Sequence, residues 1–366
     1  MSLEGHIKRL IDLCGPMDIG TYMQTCLGHP EHGYYVSRSA IGAEGDFITA
    51  PEISQMFGEL IGIWCADLWI RSGKGEINLL ECGPGRGTLM ADMLRATRGI
   101  EGFHSSIKLH FLETSPRLRE QQARALGDLE GDLSSPIWHD DLSTVPEDKS
   151  LFSIANEFLD ALPIRQLVKS ADGWLEKCVH VNQKNELTYI TKPAEAELIT
   201  LLPQQSRNAN QGDVYEISPS RYGWLNSFAD KLKKTSGAGL FIDYGFDGPA
   251  RGDTLQAVQD HKYADPLAMP GKADLTAHVD FSQIREVAKE TDTTFYGVQK
   301  QGVFLKHLGI EQRAEILKSQ VDNDTAGRIA EDLYRLVSEN EMGELFKVVC
   351  LTSPDFSVPE GFEDDA

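Results

Sequence analysis

Leu79-Leu-Glu-Cys-Gly-Pro-Gly-Arg-Gly-Thr88 ends an apolar run and opens a helical pattern, with glycines at Gly83, Gly85 and Gly87. No other segment narrows the choice of fold as much. A strand that turns sharply into a helix needs residues without a Cβ, so that the backbone can bend and a ligand can come close. The helix start then offers unpaired N–H groups and a positive dipole end. A strand, glycine turn and helix in this order open a doubly wound α/β sheet, whose ligands lie at the carboxyl ends of its strands.

The flanking patterns agree. Residues 77–82 read as a strand and 88–96 as a helix, with Leu89, Met90, Met93 and Leu94 on one side. Further strands are expected at 107–113, 137–139 and 151–155. The rhythm breaks at 165–169, 174–181 and 186–190, which read as an antiparallel insertion. It returns with a helix at 220–233 and a strand at 239–243. A later helix has Asp280 and Gln283 at capping-box spacing, with Phe281, Ile284, Val287 and Ala288 facing inward. Strands at 294–298 and 346–352 bracket helical material at 303–345.

Ahead of this core, Ile53, Met56, Phe57, Leu60, Ile61, Trp64 and Leu68 form one helical stripe, with Pro51 in its first turn and Glu52 at its positive end. Gly33-Tyr-Tyr-Val and Gly45-Asp-Phe-Ile-Thr read as short strands or ordered loop. The expected organisation is an N-terminal cover (1–75), the first half of the core (76–162), an antiparallel insertion (163–212), the second half (213–300), a helical insertion (301–344), and a last strand with an acidic tail (345–366).

Composition removes several function classes. With 35 basic against 56 acidic residues and a formal charge of −21, the chain is a poor binder of nucleic-acid phosphates. Some of that charge lies at 360–365, read as a disordered tail. No run of 18 apolar residues suggests a membrane span, and the N-terminus lacks the pattern of a signal or transit peptide. Six scattered cysteines without a CxxC pair suit a reducing compartment. Cys26, His29 and His32 stand among Gly28, Pro30 and Gly33. They read as a tight turn rather than a metal site, which would need a fourth ligand.

The loop spacing is G-x-G-x-G, not the dinucleotide pattern, and Glu81 precedes the first glycine. A carboxylate there suits a cationic ligand, such as the ammonium of a methionine-derived moiety, better than a pyrophosphate. Glu113, ending the second strand, is placed to accept from ribose hydroxyls, and Asp140, after the third, from an adenine amino group. Asn156, at the tip of the fourth strand, joins the cofactor side. Beyond it Glu157 and Asp160 stand three apart and share one face if the turn is helical. A carboxylate pair is a natural grip for a guanidinium and would orient one nitrogen for attack. The alternatives are structural: Glu157 supporting the cofactor loop, and Asp160 capping a turn or pairing with Arg165.

Larger motifs extend these readings. The chain resembles the mitochondrial dysfunction protein A-like methyltransferases of the complex I assembly group and their bacterial relatives. The likeness rests on Gly28-His-Pro-Glu-His-Gly-Tyr-Tyr35, the stretch from Gly45 to Glu59, Glu81-Cys-Gly-Pro-Gly-Arg-Gly-Thr88 and Asn156-Glu-Phe-Leu-Asp-Ala-Leu-Pro163. It continues through Ile242-Asp-Tyr-Gly245, Ala264-Asp-Pro-Leu267, the stretch from Ala273 to Phe281, and Gln301-Gly-Val-Phe-Leu305.

The resemblance implies a class I methyltransferase fold that binds S-adenosylmethionine and releases S-adenosylhomocysteine. It further implies symmetric dimethylation of an arginine in a quinone-module core subunit of respiratory complex I. It points to Glu81, Gly83, Gly85 and Glu113 as cofactor residues, with Thr49, Pro51 and Ser54 near the methionine end. Glu157 occupies a place analogous to the double-glutamate hairpin of other arginine methyltransferases, whereas Asp160 departs from that pattern. Asp243, Tyr244 and His278 lie in matched motifs, with turn formation an equal reading. A bacterial cytoplasmic chain is expected, matrix location belonging to the organellar relatives, and a homodimer is compatible with it. Two other functions stay open: methylation of a small amine or hydroxyl compound, and a non-catalytic assembly chaperone.

Overall fold

The computed structural model describes residues 1–37, 49–127, 135–354 and 356–362. The chain forms two compact units. One holds residues 48–158, 225–245 and 283–366, the other residues 1–47, 159–224 and 246–282.

The larger unit is built on strands β1 (Ile77–Cys82), β2 (Ile107–Leu112), β3 (Ile137–His139), β4 (Ser150–Asn156), β5 (Gly237–Phe246), β6 (Thr294–Lys300) and β7 (Phe346–Thr352). Their order across the sheet is β6-β7-β5-β4-β1-β2-β3. The first five run parallel, and β7 is antiparallel to β5 and β6. Every residue of β1 is buried, as a strand covered on both faces must be, which explains its unbroken apolar run. Because β2 and β3 extend to one side of β1 and β4 returns on the other, the switch point lies between the tips of β1 and β4.

Helix α1 (Ala50–Ile53), α2 (Gln55–Arg71), α3 (Thr88–Thr97) and α4 (Pro116–Leu126) belong to the same unit. The core joins Phe57, Ile61, Trp64 and Leu68 of α2 to Leu89, Met90 and Met93 of α3 and to strand residues such as Leu79 and Ile154. Each such side chain contributes about 1.5–3 kcal/mol by leaving water. Gly62 lets α2 approach closely, because a Cβ there would meet the Met93 backbone at 2.6 Å. The expected single helix from Pro51 onward is instead divided. Ser54 has an extended backbone that ends α1 and starts α2, and its hydroxyl accepts from the Met56 N–H.

The smaller unit carries helices Leu3–Cys14 and Ile19–Gly28, a five-stranded sheet and a three-stranded one. Strands Arg165–Ser170, Gly173–Val181 and Leu187–Pro193 are antiparallel, as expected from the broken rhythm. Ile7, Tyr22, Met23, Val179 and Leu275 share its core.

Other expectations need correction. Tyr34–Ser37 is one helical turn rather than a strand; residues 45–48 of its companion segment lie outside the described residues. His29 organises the preceding loop through Nδ1, which accepts from the N–H groups of Glu31 and His32. The capping box does not form: Asp280 accepts from the N–H and hydroxyl of Ser282, two residues on, and Gln283 Oε1 meets no donor among the described residues. The start of the acidic tail is packed, since Phe362 is buried in the core. Among the described residues, no helix is long and apolar enough to cross a membrane.

Candidate active site

The glycine loop shows why its residues are what they are. Gly83, Gly85 and Gly87 have φ of +65°, +52° and +86°, the left-handed region that strains any residue with a Cβ. A Cβ on Gly83 would also lie 3.0 Å from the Phe158 ring. The loop closes through the Gly87 N–H donating to the Pro84 carbonyl at 2.8 Å.

Two acceptors at the switch point are buried and receive no hydrogen bond from the described residues: Glu81 Oε2 at the end of β1 and Asn156 Oδ1 at the end of β4. The strands are adjacent, with Glu81 opposite Ile154 and Cys82 opposite Ala155. Burial pushes the Glu81 carboxyl up to about 8. A buried acceptor without a donor is costly, and two at adjacent strand tips suit a ligand bearing hydrogen-bond donors and positive charge. The methionine ammonium of S-adenosylmethionine has both. Asn156 has its orientation set, because Nδ2 donates to Glu157 Oε1 at 3.1 Å.

Glu113 follows β2. Its Oε1 accepts from the Ser115 N–H at 2.7 Å and its Oε2 from Gln122 at 3.2 Å. Burial raises its pKa, opposed by those hydrogen bonds and by the charge of Arg119. Asp140 is exposed and paired with Arg119 at 2.5 Å. Beneath this edge, His110 and His139 join through ring nitrogens 2.9 Å apart, and the His139 carbonyl accepts from the Glu113 N–H at 3.0 Å.

The segment 49–54 is tied to both strand tips. The Ala50 N–H donates to Glu157 Oε1 at 3.3 Å. Glu52 accepts from the Thr88 hydroxyl at 2.5 Å and lies 3.5 Å from Arg86. Pro51 is buried in the first turn of α1, and Thr49 caps that turn by backbone geometry without a side-chain bond.

Glu157 and Asp160 do not share a helical face. Glu157 has φ +50°, and the segment to Leu162 is bend and turn. Asp160 belongs to the smaller unit, where its carbonyl accepts from the Ala277 N–H at 3.1 Å. There Tyr35 donates to Asp274 at 3.0 Å. Burial, with the charges of Asp274 and Asp160, pushes that phenol well above its usual range. Asp243 accepts from the Tyr244 N–H at 3.0 Å, Tyr244 packs edge-on against Phe346, and the His278 N–H donates to Thr254. Asp243 and Tyr244 thus lie within β5 rather than in a turn after it, and His278 lies between two short strands. Gln122 and Arg119 escaped the sequence reading because both lie on α4, whose pattern says only which side is apolar, and the sequence shows Glu52 only as complementing the helix start.

Comparison with known proteins agrees with this geometry. Residues 60–299 match the family model described as S-adenosyl-L-methionine-dependent methyltransferase. The mitochondrial protein arginine methyltransferase NDUFAF7 of Danio rerio is 34% identical, over 94% of this chain and 86% of that protein. The Homo sapiens protein of the same name is 35% identical, over 94% of this chain and 82% of its own length. A crystal structure of a Burkholderia thailandensis protein bound to S-adenosyl-homocysteine superposes with a TM-score of 0.85 at 29% identity, covering 99% of this chain and 95% of that one. With its class I sheet order, glycine loop and this breadth of likeness, the chain belongs to the family of S-adenosyl-L-methionine-dependent methyltransferases.

Proposed function

We propose that this methyltransferase modifies arginine in a protein partner: symmetric dimethylation of a quinone-module core subunit of respiratory complex I, assisting assembly. The observation that carries the reading is 34–35% identity, over 94% of the chain, to proteins named as protein arginine methyltransferases. In a bacterium the corresponding place is the cytoplasm; the relatives carry a mitochondrial label.

When bound, S-adenosylmethionine supplies a methyl group on a sulfonium, open to attack by a nitrogen. Glu81 and Asn156 take its ammonium, Gly83 and Gly85 let the backbone approach, Glu113 takes the ribose and Asp140 the adenine edge. Thr49, Pro51 and Ser54 border the methionine end. Glu157 offers its carboxylate to the guanidinium, holding the positive charge away from the attacking nitrogen. Its backbone supports a special role, because left-handed φ in a non-glycine residue is strain that concentrates at functional sites. Asp160 is the second acid to test.

The experiment is calorimetry with S-adenosylhomocysteine, followed by mass spectrometry of the complex I core subunit after incubation with S-adenosylmethionine. Wild type adds two methyl groups to one arginine; Glu157→Gln binds the cofactor but transfers at most about one-hundredth as fast. Cofactor binding without any arginine product would remove the substrate assignment. Transfer unchanged in Glu157→Gln would remove that residue's role.

A further inference from the structure

Gln122, on the inner side of α4, is fully buried at 0% exposure. Its amide connects three parts of the larger unit. One Nε2 hydrogen goes to the Gly85 carbonyl at 2.8 Å, the other to Glu113 Oε2 at 3.2 Å, and Oε1 accepts the Trp138 indole N–H at 2.7 Å. An amide has two donor hydrogens and one carbonyl oxygen, so both hydrogens and the oxygen are engaged. Turning it over would set its oxygen against a carbonyl and a carboxylate, and its NH2 against an N–H. Only one orientation satisfies every partner.

The approach depends on a glycine. A Cβ on Gly87 would lie 3.1 Å from Gln122 Cα and 3.4 Å from its Cγ. The loop's third glycine thus makes room for α4 to bring this amide to the loop. With Ser115 holding the other oxygen of Glu113 at 2.7 Å, the carboxylate is fixed in plane and direction. With a further hydrogen bond from the Thr114 backbone, the carboxylate's remaining acceptor capacity is left for the ribose.

We propose that Gln122 is a positioning residue of the cofactor site: one buried amide locks the glycine loop to the ribose-binding carboxylate, so the two grips on the nucleoside end act as a unit. This rests on the reading of Glu113 as the ribose acid. Leucine at 122 keeps the volume and loses the lock. Glutamate keeps the shape but donates only when protonated; ionised, it sets a second negative charge against Glu113.

The test is calorimetric titration of S-adenosylhomocysteine into wild type, Glu113→Gln, Gln122→Leu, Gln122→Glu and the Glu113→Gln/Gln122→Leu double variant. Each protein is first checked for folding by circular dichroism. Relative to wild type at the same pH, Gln122→Leu should bind about tenfold more weakly at every pH. Gln122→Glu should approach wild type near about pH 6 and lose about thirtyfold or more near about pH 8.5, as the introduced carboxyl ionises. The double variant should lose less than the product of the single losses. Wild-type affinity in both Gln122 variants, with Glu113→Gln weakened, would overturn the lock and leave the ribose reading intact. Equal, pH-independent losses in both Gln122 variants would overturn it too, reducing Gln122 to packing. If Glu113→Gln itself binds normally, the ribose reading fails and the lock with it.

Discussion

Glu81 carries the largest consequence of a single residue. Its carboxyl is raised to about 8 by burial, so the ligand-free protein holds it protonated at neutral pH. With the proposed ammonium bound beside it the ionised form is favoured, so binding should release a proton. Affinity for S-adenosylhomocysteine should therefore rise with pH and level off above about 8, a trend calorimetry in buffers of different ionisation enthalpy can measure. Stability follows the opposite sign. A carboxyl raised above its ordinary value favours folding at low pH and loses that contribution as pH rises through the folded value. Glu81→Gln should flatten this slope in thermal unfolding of the ligand-free protein, while weakening cofactor binding by about tenfold to a hundredfold.

At the scale of elements, the turn leaving β4 matters most. Glu157 at φ +50° accepts from the N-terminal turn of α1 and from Asn156, so one carboxylate joins two segments while its own backbone is strained. Glu157→Ala and Glu157→Gly both remove the carboxylate, but only glycine relieves the strain. The glycine variant should be more stable than the alanine variant by about 1 kcal/mol, measured by urea unfolding. Equal stabilities would show that the turn relaxes when the side chain is lost. Gly83→Val should abolish cofactor binding, because its left-handed φ and the Phe158 ring leave a branched side chain no place.

At the scale of the larger unit, the end of the chain acts as a strap. Arg71 donates to the Val358 carbonyl at 2.6 Å and Trp64 to that of Glu360 at 3.0 Å. Phe362 packs on Phe304 with ring centroids 5.4 Å apart. Gly361, at φ +85°, lets that contact form. Deleting residues 357–366 should lower stability by about 2–4 kcal/mol, from one buried aromatic and two hydrogen bonds. A thermal midpoint unchanged by the deletion would show that the strap contributes nothing.

The α/β sheet was legible in the order of apolar runs and glycines, because a buried parallel strand needs a continuous apolar segment and a left-handed turn needs glycine. The strand spans 77–82, 137–139 and 346–352 agree with the structure to the residue, and Glu81 and Glu113 lie at the carboxyl ends of their strands. The break at Ser54 was not legible, since an apolar stripe continues across it. Nor was the non-helical course of the chain from Glu157 to Asp160: spacing of three implies one face only if the backbone is helical, and Glu157 itself is left-handed. Gln122 was hidden for a further reason. Its partners Gly85, Glu113 and Trp138 are distant in sequence, and only packing of α4 on the glycine loop brings one amide to all three. Local pattern determined which segments form the strands of the larger sheet and where its carboxyl edge lies. Tertiary structure decided which polar atoms meet there, because a hydrogen bond depends on distances that chain order does not encode.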